Sequence, residues 1–165
     1  MSSTTHPIEL ARERDAAHIA AMSRRLIEAG LPPSWPLERV LGHIRRSDSL
    51  VLAHRREGRL AGFAIMQFGD TRAHLNLLAV EPRWQRAGIG RAMITWLEDS
   101  ARVAGTFTIT LELRAGNGAA RRFYEALGYH ETGRLAGYYQ RREDALTMMR
   151  DLRVGSEGRR PLAAD

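Results

Sequence analysis

The sequence predicts an α/β chain of the α+β kind, with six to seven strands and about four helices. Three observations carry that expectation. Residues 106–113 alternate without a break, with Phe107, Ile109, Leu111 and Leu113 on one face and Thr106, Thr108, Thr110 and Glu112 on the other. That is the period-two pattern of a half-buried strand. Residues 88–103 instead repeat apolar side chains at helical spacing, through Ile89, Ala92, Met93, Trp96, Leu97 and Ala101. Two pairs of short apolar runs are separated by turn residues, 56–59 and 140–144, as in hairpins. A chain of 165 residues, 44% of them hydrophobic, suits one compact domain over residues 1–152.

Taken in order, residues 8–11 read as a short first strand. Asp15 reads as the N-cap of a helix that continues to Ala29, with Ala16, Ile19, Ala20, Ser23, Leu26 and Ile27 near one face. Gly30 and the following Leu31-Pro32-Pro33 stop it. A second helix spans residues 36–46, with Pro36 in the first turn, where a missing N–H costs nothing. Residues 50–54 and 60–68 form the first hairpin, Gly69-Asp70 makes the next turn, and residues 74–80 the following strand. The 88–103 helix and the alternating strand come next. A helix over residues 117–127 ends at Gly128, which takes the C-terminal glycine position. Residues 129–138 and 145–152 pair as a final hairpin. From Arg153 onward the Gly-, Arg- and Pro-rich composition predicts a disordered tail, residues 153–165.

Composition narrows the function. Cysteine is absent, which excludes disulfides, thiolate metal ligands and a cysteine nucleophile, and no metal is expected. No apolar run approaches the roughly 20 residues that span a bilayer. Residues 1–10 lack the basic-then-apolar pattern of a secretion signal. A cytoplasmic protein without a membrane partner is the expectation. The net charge is +6, and because lysine is absent all 25 basic residues are arginine. Guanidinium stays charged and prefers bidentate contacts with phosphate or carboxylate. Nucleic acid is the competing partner for a basic chain. The Arg pairs at 24/25, 45/46, 55/56, 121/122, 141/142 and 159/160 form no single stripe, however, and aromatics are only 7%. No nucleic-acid partner is expected; the charge favours an anionic cofactor.

The most informative stretch is residues 80–91, V-E-P-R-W-Q-R-A-G-I-G-R, where an apolar strand turns into an amphipathic helix. Main-chain N–H groups at a helix start lack partners and carry the positive end of the helix dipole, so they attract anions. Gly88 and Gly90 have no Cβ, which would let the backbone approach a diphosphate. Other phosphate loops fit less well. No Lys follows the glycines, as a Walker loop needs. The dinucleotide fingerprint finds Met93 at its third glycine, although Glu112 lies at a suitable distance for its acidic residue. Paired glycines that simply loosen a helix start remain an alternative.

Three downstream residues could do acyl-transfer chemistry. Glu112, on the polar face near a strand end, is a candidate base, or else a solvated surface carboxylate. Tyr124 could donate a proton at neutral pH, or else pack beside Phe123. Asn117 suits a helix N-cap, and in the functional reading it also touches the cofactor.

These residues sit in a recognisable order. Over about residues 75–152 the chain resembles the GNAT superfamily of N-acetyltransferases, and within it the RimI-like N-alpha-acetyltransferases. The likeness is carried by L-L-A-V-E-P, Q-R-A-G-I-G-R, L-E-L-R-A-G-N, R-F-Y-E-A-L-G-Y and Y-Y-Q-R-R-E-D-A-L-T-M. The resemblance implies a mixed, mostly antiparallel central sheet whose fourth and fifth strands splay apart. It implies acetyl-CoA as cosubstrate, with pantetheine on main chain near Leu78, Ala79 and Val80. The diphosphate would lie on Gln85, Arg86, Ala87, Gly88, Ile89, Gly90 and Arg91, with Asn117 also against the cofactor. Glu112 would be the general base, through water if needed, and Tyr124 the general acid on sulfur. Tyr138 and Tyr139 would meet the acceptor. Two departures stand out: Gly116 replaces the usual serine beside Asn117, and the 139–143 connection is short for a RimI-like chain. The first 70 residues match only loosely.

The expected activity is direct transfer of an acetyl group from acetyl-CoA to a primary amine, with a peptide or protein N-terminus as first choice. A small amine (polyamine, amino acid or antibiotic) is the alternative acceptor. A non-catalytic acyl-CoA sensor is the alternative from another class. Monomer and homodimer are both open.

Overall fold

The computed structural model describes residues 7–154. The chain runs β1 (Ile8–Leu10), α1 (Ala16–Leu26), α2 (Leu37–Arg45), β2 (Ser49–Arg56), β3 (Arg59–Phe68), β4 (Ala73–Val80), α3 (Ile89–Val103), β5 (Thr108–Arg114), α4 (Gly118–Ala126), β6 (His130–Tyr139) and β7 (Glu143–Asp151). The strands form one seven-stranded sheet in the order β1-β2-β3-β4-β5-β7-β6. Every neighbouring pair is antiparallel except β4 and β5, which are parallel and joined by the α3 crossover. This is the mixed, mostly antiparallel sheet with four helices that was expected. No helix among the described residues is long and apolar enough to cross a membrane.

Four local expectations are corrected. Asp15 does not cap α1 with its side chain. Its buried carboxylate accepts the Arg12 N–H at 2.8 Å and pairs with Arg55 of β2. α1 also ends at Leu26, short of Ala29. There the Glu28 N–H reaches back to the Ser23 carbonyl, and the Glu28 carboxylate turns away to accept the Ser34 hydroxyl at 2.7 Å. The β5 strand begins only at Thr108, so Phe107 leaves the core face and lies beneath the Arg153 guanidinium. Thr106 is buried in its place, with its N–H on the Ala101 carbonyl at the end of α3. Of the expected disordered tail, Arg153 and Val154 form a turn closed on Asp151, and residues 155–165 lie outside the described residues.

Helices cover both faces of the sheet. Ile19 and Val40 of α1 and α2 pack with Phe63, Ile65, Leu77 and Ala79 on one side. Met93, Ile94 and Leu97 of α3 pack with Met66, Leu75, Ile109, Leu111 and Met148 on the other. β4 thus contributes to both cores, Leu75 to one and Leu77 to the other, although the two are both odd-numbered. The register explains it: Met66 pairs with Leu75 and Ile65 with Leu77, which leaves Asn76 as an extra, bulged residue. One inserted residue moves the rest of a strand to the opposite face. The bulge coincides with a fork. β4 and β5 pair only over Ala73–Ile109, His74–Thr110 and Leu75–Leu111, and beyond those pairs they separate. β5 keeps its pairing with β7 through Arg114.

Candidate functional site

A cleft of about 710 Å³ opens at the fork. Its volume lies within the range of small-molecule and cofactor sites. Leu78, Ala79, Val80, Gln85, Asn117 and Tyr124 line the side toward α3 and α4, and Glu112 stands where β5 leaves β4. Trp35, Arg39, Tyr138 and Tyr139 line the opposite side, together with the loop between α1 and α2. Both candidate catalytic residues and both candidate acceptor tyrosines therefore share one cavity with the expected pantetheine segment.

Gln85 folds back so that its side-chain amide donates to the Val80 carbonyl at 3.0 Å. Of the residues that follow, Arg86 to Gly88 form the turn into α3 and Ile89 to Arg91 its first turn, outside the cleft wall. Arg86 at φ 65° and Gly88 at φ 80° take left-handed conformations, and Gly88, at the N-cap, has no side chain with which to cap the helix. The first main-chain N–H groups of α3 therefore have no intrahelical acceptor. The two glycines serve different ends. A Cβ at Gly88 would meet nothing within 4 Å, so that flank is open for a ligand. A Cβ at Gly90 would lie 3.2 Å from the Phe123 ring, so Gly90 lets α3 pack closely on α4. The Ile89 side chain is buried in the core, which leaves only its main chain for a cofactor.

Asn117 caps α4, its Oδ1 accepting the Ala120 N–H at 3.1 Å. This lays the helix so that Tyr124 faces the cleft between two aromatic neighbours. Phe123 and Tyr129 meet its ring edge-on, with centroids 5.0 and 5.6 Å away. Burial pushes the Tyr124 phenol above its ordinary range, so it stays protonated at neutral pH. Tyr139 is raised by burial and then by its neighbours Tyr138 and Glu112, and Tyr138 by burial and then by Glu112. Both tyrosines thus feel the Glu112 charge.

The wall of the cleft that carries Tyr138 and Tyr139 is tied together across long stretches of chain. Arg114 donates to the Ala29 carbonyl at 2.8 Å, and Arg142 to that of Gly30 at 3.2 Å. Glu143 accepts the N–H of Gly116, the glycine beside Asn117, and lies 3.3 Å from Arg114. Arg39 stacks over Trp35 with its guanidinium carbon 3.8 Å from the ring centroid.

Several residues of the site were missed in the sequence. His74, on β4, places Nε2 2.6 Å from Glu112 Oε2 and Nδ1 2.7 Å from Thr110 Oγ1. Glu28, Trp35 and Arg39 come from the first 70 residues, where no motif marked them. The available signal for His74 was its place among polar positions of an otherwise apolar strand.

Residues 14–129 match the profile of the Acetyltransferase (GNAT) family. The chain belongs to the GNAT family. The family is one of acetyltransferases. This GNAT chain is 43% identical over 94 residues to the [Ribosomal protein bS18]-alanine N-acetyltransferase of Escherichia coli, a match that covers 55% of this chain and 64% of that protein. It is 29% identical over 158 residues to N-alpha-acetyltransferase RimI of Mycobacterium tuberculosis, covering 92% of this chain and 97% of the other. The crystal structure of the ribosomal-protein-S18-alanine N-acetyltransferase from Escherichia coli superposes with a TM-score of 0.74 at 31% identity, over 88% of this chain and 92% of that one. The chain is thus similar to RimI-like enzymes in sequence and in fold.

Proposed function

We propose that this GNAT chain moves the acetyl group of acetyl-CoA directly to a peptide or protein N-terminal amine. The observation that carries the reading is the meeting of Glu112 and Tyr124 in one cleft at the fork of β4 and β5. Relatives named for acetylating a ribosomal-protein alanine and for N-alpha-acetylation support an α-amine as the acceptor. The diphosphate rests on the uncapped start of α3 beside Arg86 and Arg91, and pantetheine lies along Leu78, Ala79 and Val80. Asn117 flanks it.

The reaction balances with two residues. Glu112 takes a proton from the acceptor's ammonium, directly or through water. The nitrogen lone pair attacks the thioester carbonyl, forming the N–C bond and a tetrahedral oxyanion. Collapse breaks the C–S bond, and the departing sulfur takes the Tyr124 phenolic proton. The nitrogen's second proton restores the phenol, so one proton is released per turnover. Tyr138 and Tyr139 border the acceptor, whose chain leaves past Trp35.

An α-amine suits this modest machinery. With a pKa near 7.8 it costs about 1.1 kcal/mol to deprotonate at pH 7, against about 4.6 kcal/mol for a lysine amine near 10.4. A single carboxylate can supply the smaller amount. The test is a coenzyme-release assay over N-terminal peptides, amino-blocked lysine peptides, polyamines and an aminoglycoside, with product masses. Turnover of peptides with free termini is the expected result. Release with small amines alone would overturn the acceptor assignment, and tight acetyl-CoA binding without release would make the chain a sensor.

A further inference from the structure

His74 is outside the roles assigned above, yet it makes the closest contact to Glu112. Its ring bridges two side chains of β5. Nε2 lies 2.6 Å from Glu112 Oε2, and Nδ1 lies 2.7 Å from Thr110 Oγ1. Thr110 stands directly opposite His74 in the last paired stretch of β4 and β5, and Glu112 is the first polar residue of β5 past the fork.

The chemistry of the three groups fixes where the protons lie. An ionised carboxylate only accepts hydrogen bonds, so the ring nitrogen facing it must carry a proton. In a neutral imidazole the other nitrogen then accepts, and the Thr110 hydroxyl must donate to it. That assignment fits the distances, because the alternative acceptor for the hydroxyl, the Ala73 carbonyl, is 3.5 Å away. In the imidazolium form Nε2 still donates to Glu112. One carboxylate oxygen is thus occupied in either state, and the carboxylate is held from behind at the point where the cleft opens.

We propose that His74 is a positioning residue: it fixes the Glu112 carboxylate so that its second oxygen faces the acceptor amine. The inference rests on the reading of Glu112 as the base. Among the described residues, His74 is the side chain paired with the Glu112 carboxylate. Tyr138 and Tyr139 face it from β6, Thr147 stands opposite it on β7, and Gln67, opposite His74 on β3, directs its amide toward Asp48. The competing role for His74 is a purely structural staple across the fork, and the two roles predict different kinetics.

The test compares His74→Met, which keeps bulk without a donor, with His74→Gln, whose amide N–H reaches about as far as Nε2. Thr110→Val, which frees the ring at Nδ1, is a gentler second probe should His74→Met fold poorly. On a peptide acceptor, His74→Met should lower kcat about 10- to 30-fold while the KM for acetyl-CoA stays within about twofold. His74→Gln should restore most of the loss, and Thr110→Val should lower kcat about threefold. In the Glu112→Gln background neither His74→Met nor Thr110→Val should reduce kcat further, because the group they act through is gone. A lowered melting temperature with unchanged kcat, or losses that multiply with Glu112→Gln, would overturn the positioning role. Full activity in Glu112→Gln alone would remove both this role and the base assignment; loss there without loss in His74→Met removes the positioning role only.

Discussion

The two sides of the cleft are built differently. On the cofactor side, a single stretch from Leu78 to Arg91 supplies main chain, a left-handed turn and an uncapped helix start. On the acceptor side, side chains arrive from α2, β5, β6 and the loop after α1, and long-range arginine contacts to Ala29 and Gly30 hold them together. Backbone recognition suits a ligand part that is always the same, such as a diphosphate. Side chains on separate elements suit a partner that differs between relatives. The acceptor side can therefore change without disturbing the turn proposed to hold the phosphates. The bulge at Asn76 and the fork at Leu75–Leu111 form the seam between the two.

Four perturbations would break or sharpen that contrast. The largest effect is expected inside the cleft, on α4. Tyr124→Phe keeps the ring against Phe123 and Tyr129 and removes only the hydroxyl, so kcat should fall by roughly 10²–10⁴ with the fold retained. Unaltered kcat in a folded variant would reduce Tyr124 to packing. Next, Glu112→Gln should be impaired most at low pH and recover in part toward pH 9, where an α-amine with pKa near 7.8 is already neutral. A deficit that does not change with pH would contradict a base role and would point to acceptor binding instead.

A smaller effect is expected on the cofactor side alone. Asn tolerates left-handed backbone better than other side chains. Gly88→Asn should therefore fold, yet place its side chain in the open space at the turn, weakening acetyl-CoA binding by about tenfold, or about 1.4 kcal/mol. Calorimetry would show unchanged affinity if the phosphates lie elsewhere. Peptide KM should not move, which is the sharp form of the contrast.

The smallest effect belongs to the acceptor side. His43 of α2 is buried against Trp35, with ring centroids 5.1 Å apart, and burial holds its pKa below the ordinary value, with Arg39 and Arg46 adding to the effect. His54 is lowered in the same way, first by burial. Both groups bind protons more readily when unfolded, near pH 6.5. Stability should therefore be full above that pH and decline as pH falls below it toward the folded values. Thermal melts between pH 7.5 and 5 should show the decline, and hydrogen exchange should place the first loss of protection in α2 while α3 stays protected. A flat profile would contradict the account of His43 and His54.

Most of the fold was legible because its strands alternate cleanly and its helices repeat at 3.6 residues. The exceptions have local causes. Alternation runs on through Phe107, yet the chain enters the sheet only at Thr108. Helical spacing runs on to Ala29, but Glu28 is drawn off by Ser34, a partner in the next loop. The cofactor side was legible for the reason that makes it distinct: its parts are contiguous. Glu112, Asn117 and Tyr124 could be singled out by their chemistry and by the family resemblance, and all three line the cleft. The pairing of His74 with Glu112 could not be read, because the two lie on different strands and only the pairing register brings them together. The bulge at Asn76 carries no sequence mark either, since an extra residue is defined only by the strand opposite.

The most direct test of an N-terminal acetyltransferase offers one peptide with a free α-amine and one internal lysine, so that both amines compete at equal concentration. After partial turnover with acetyl-CoA, fragmentation mass spectrometry locates the acetyl group. The account predicts modification at the terminus with the lysine untouched, and the same position, more slowly, in Glu112→Gln. Acetylation of the lysine with a free terminus left behind would contradict it.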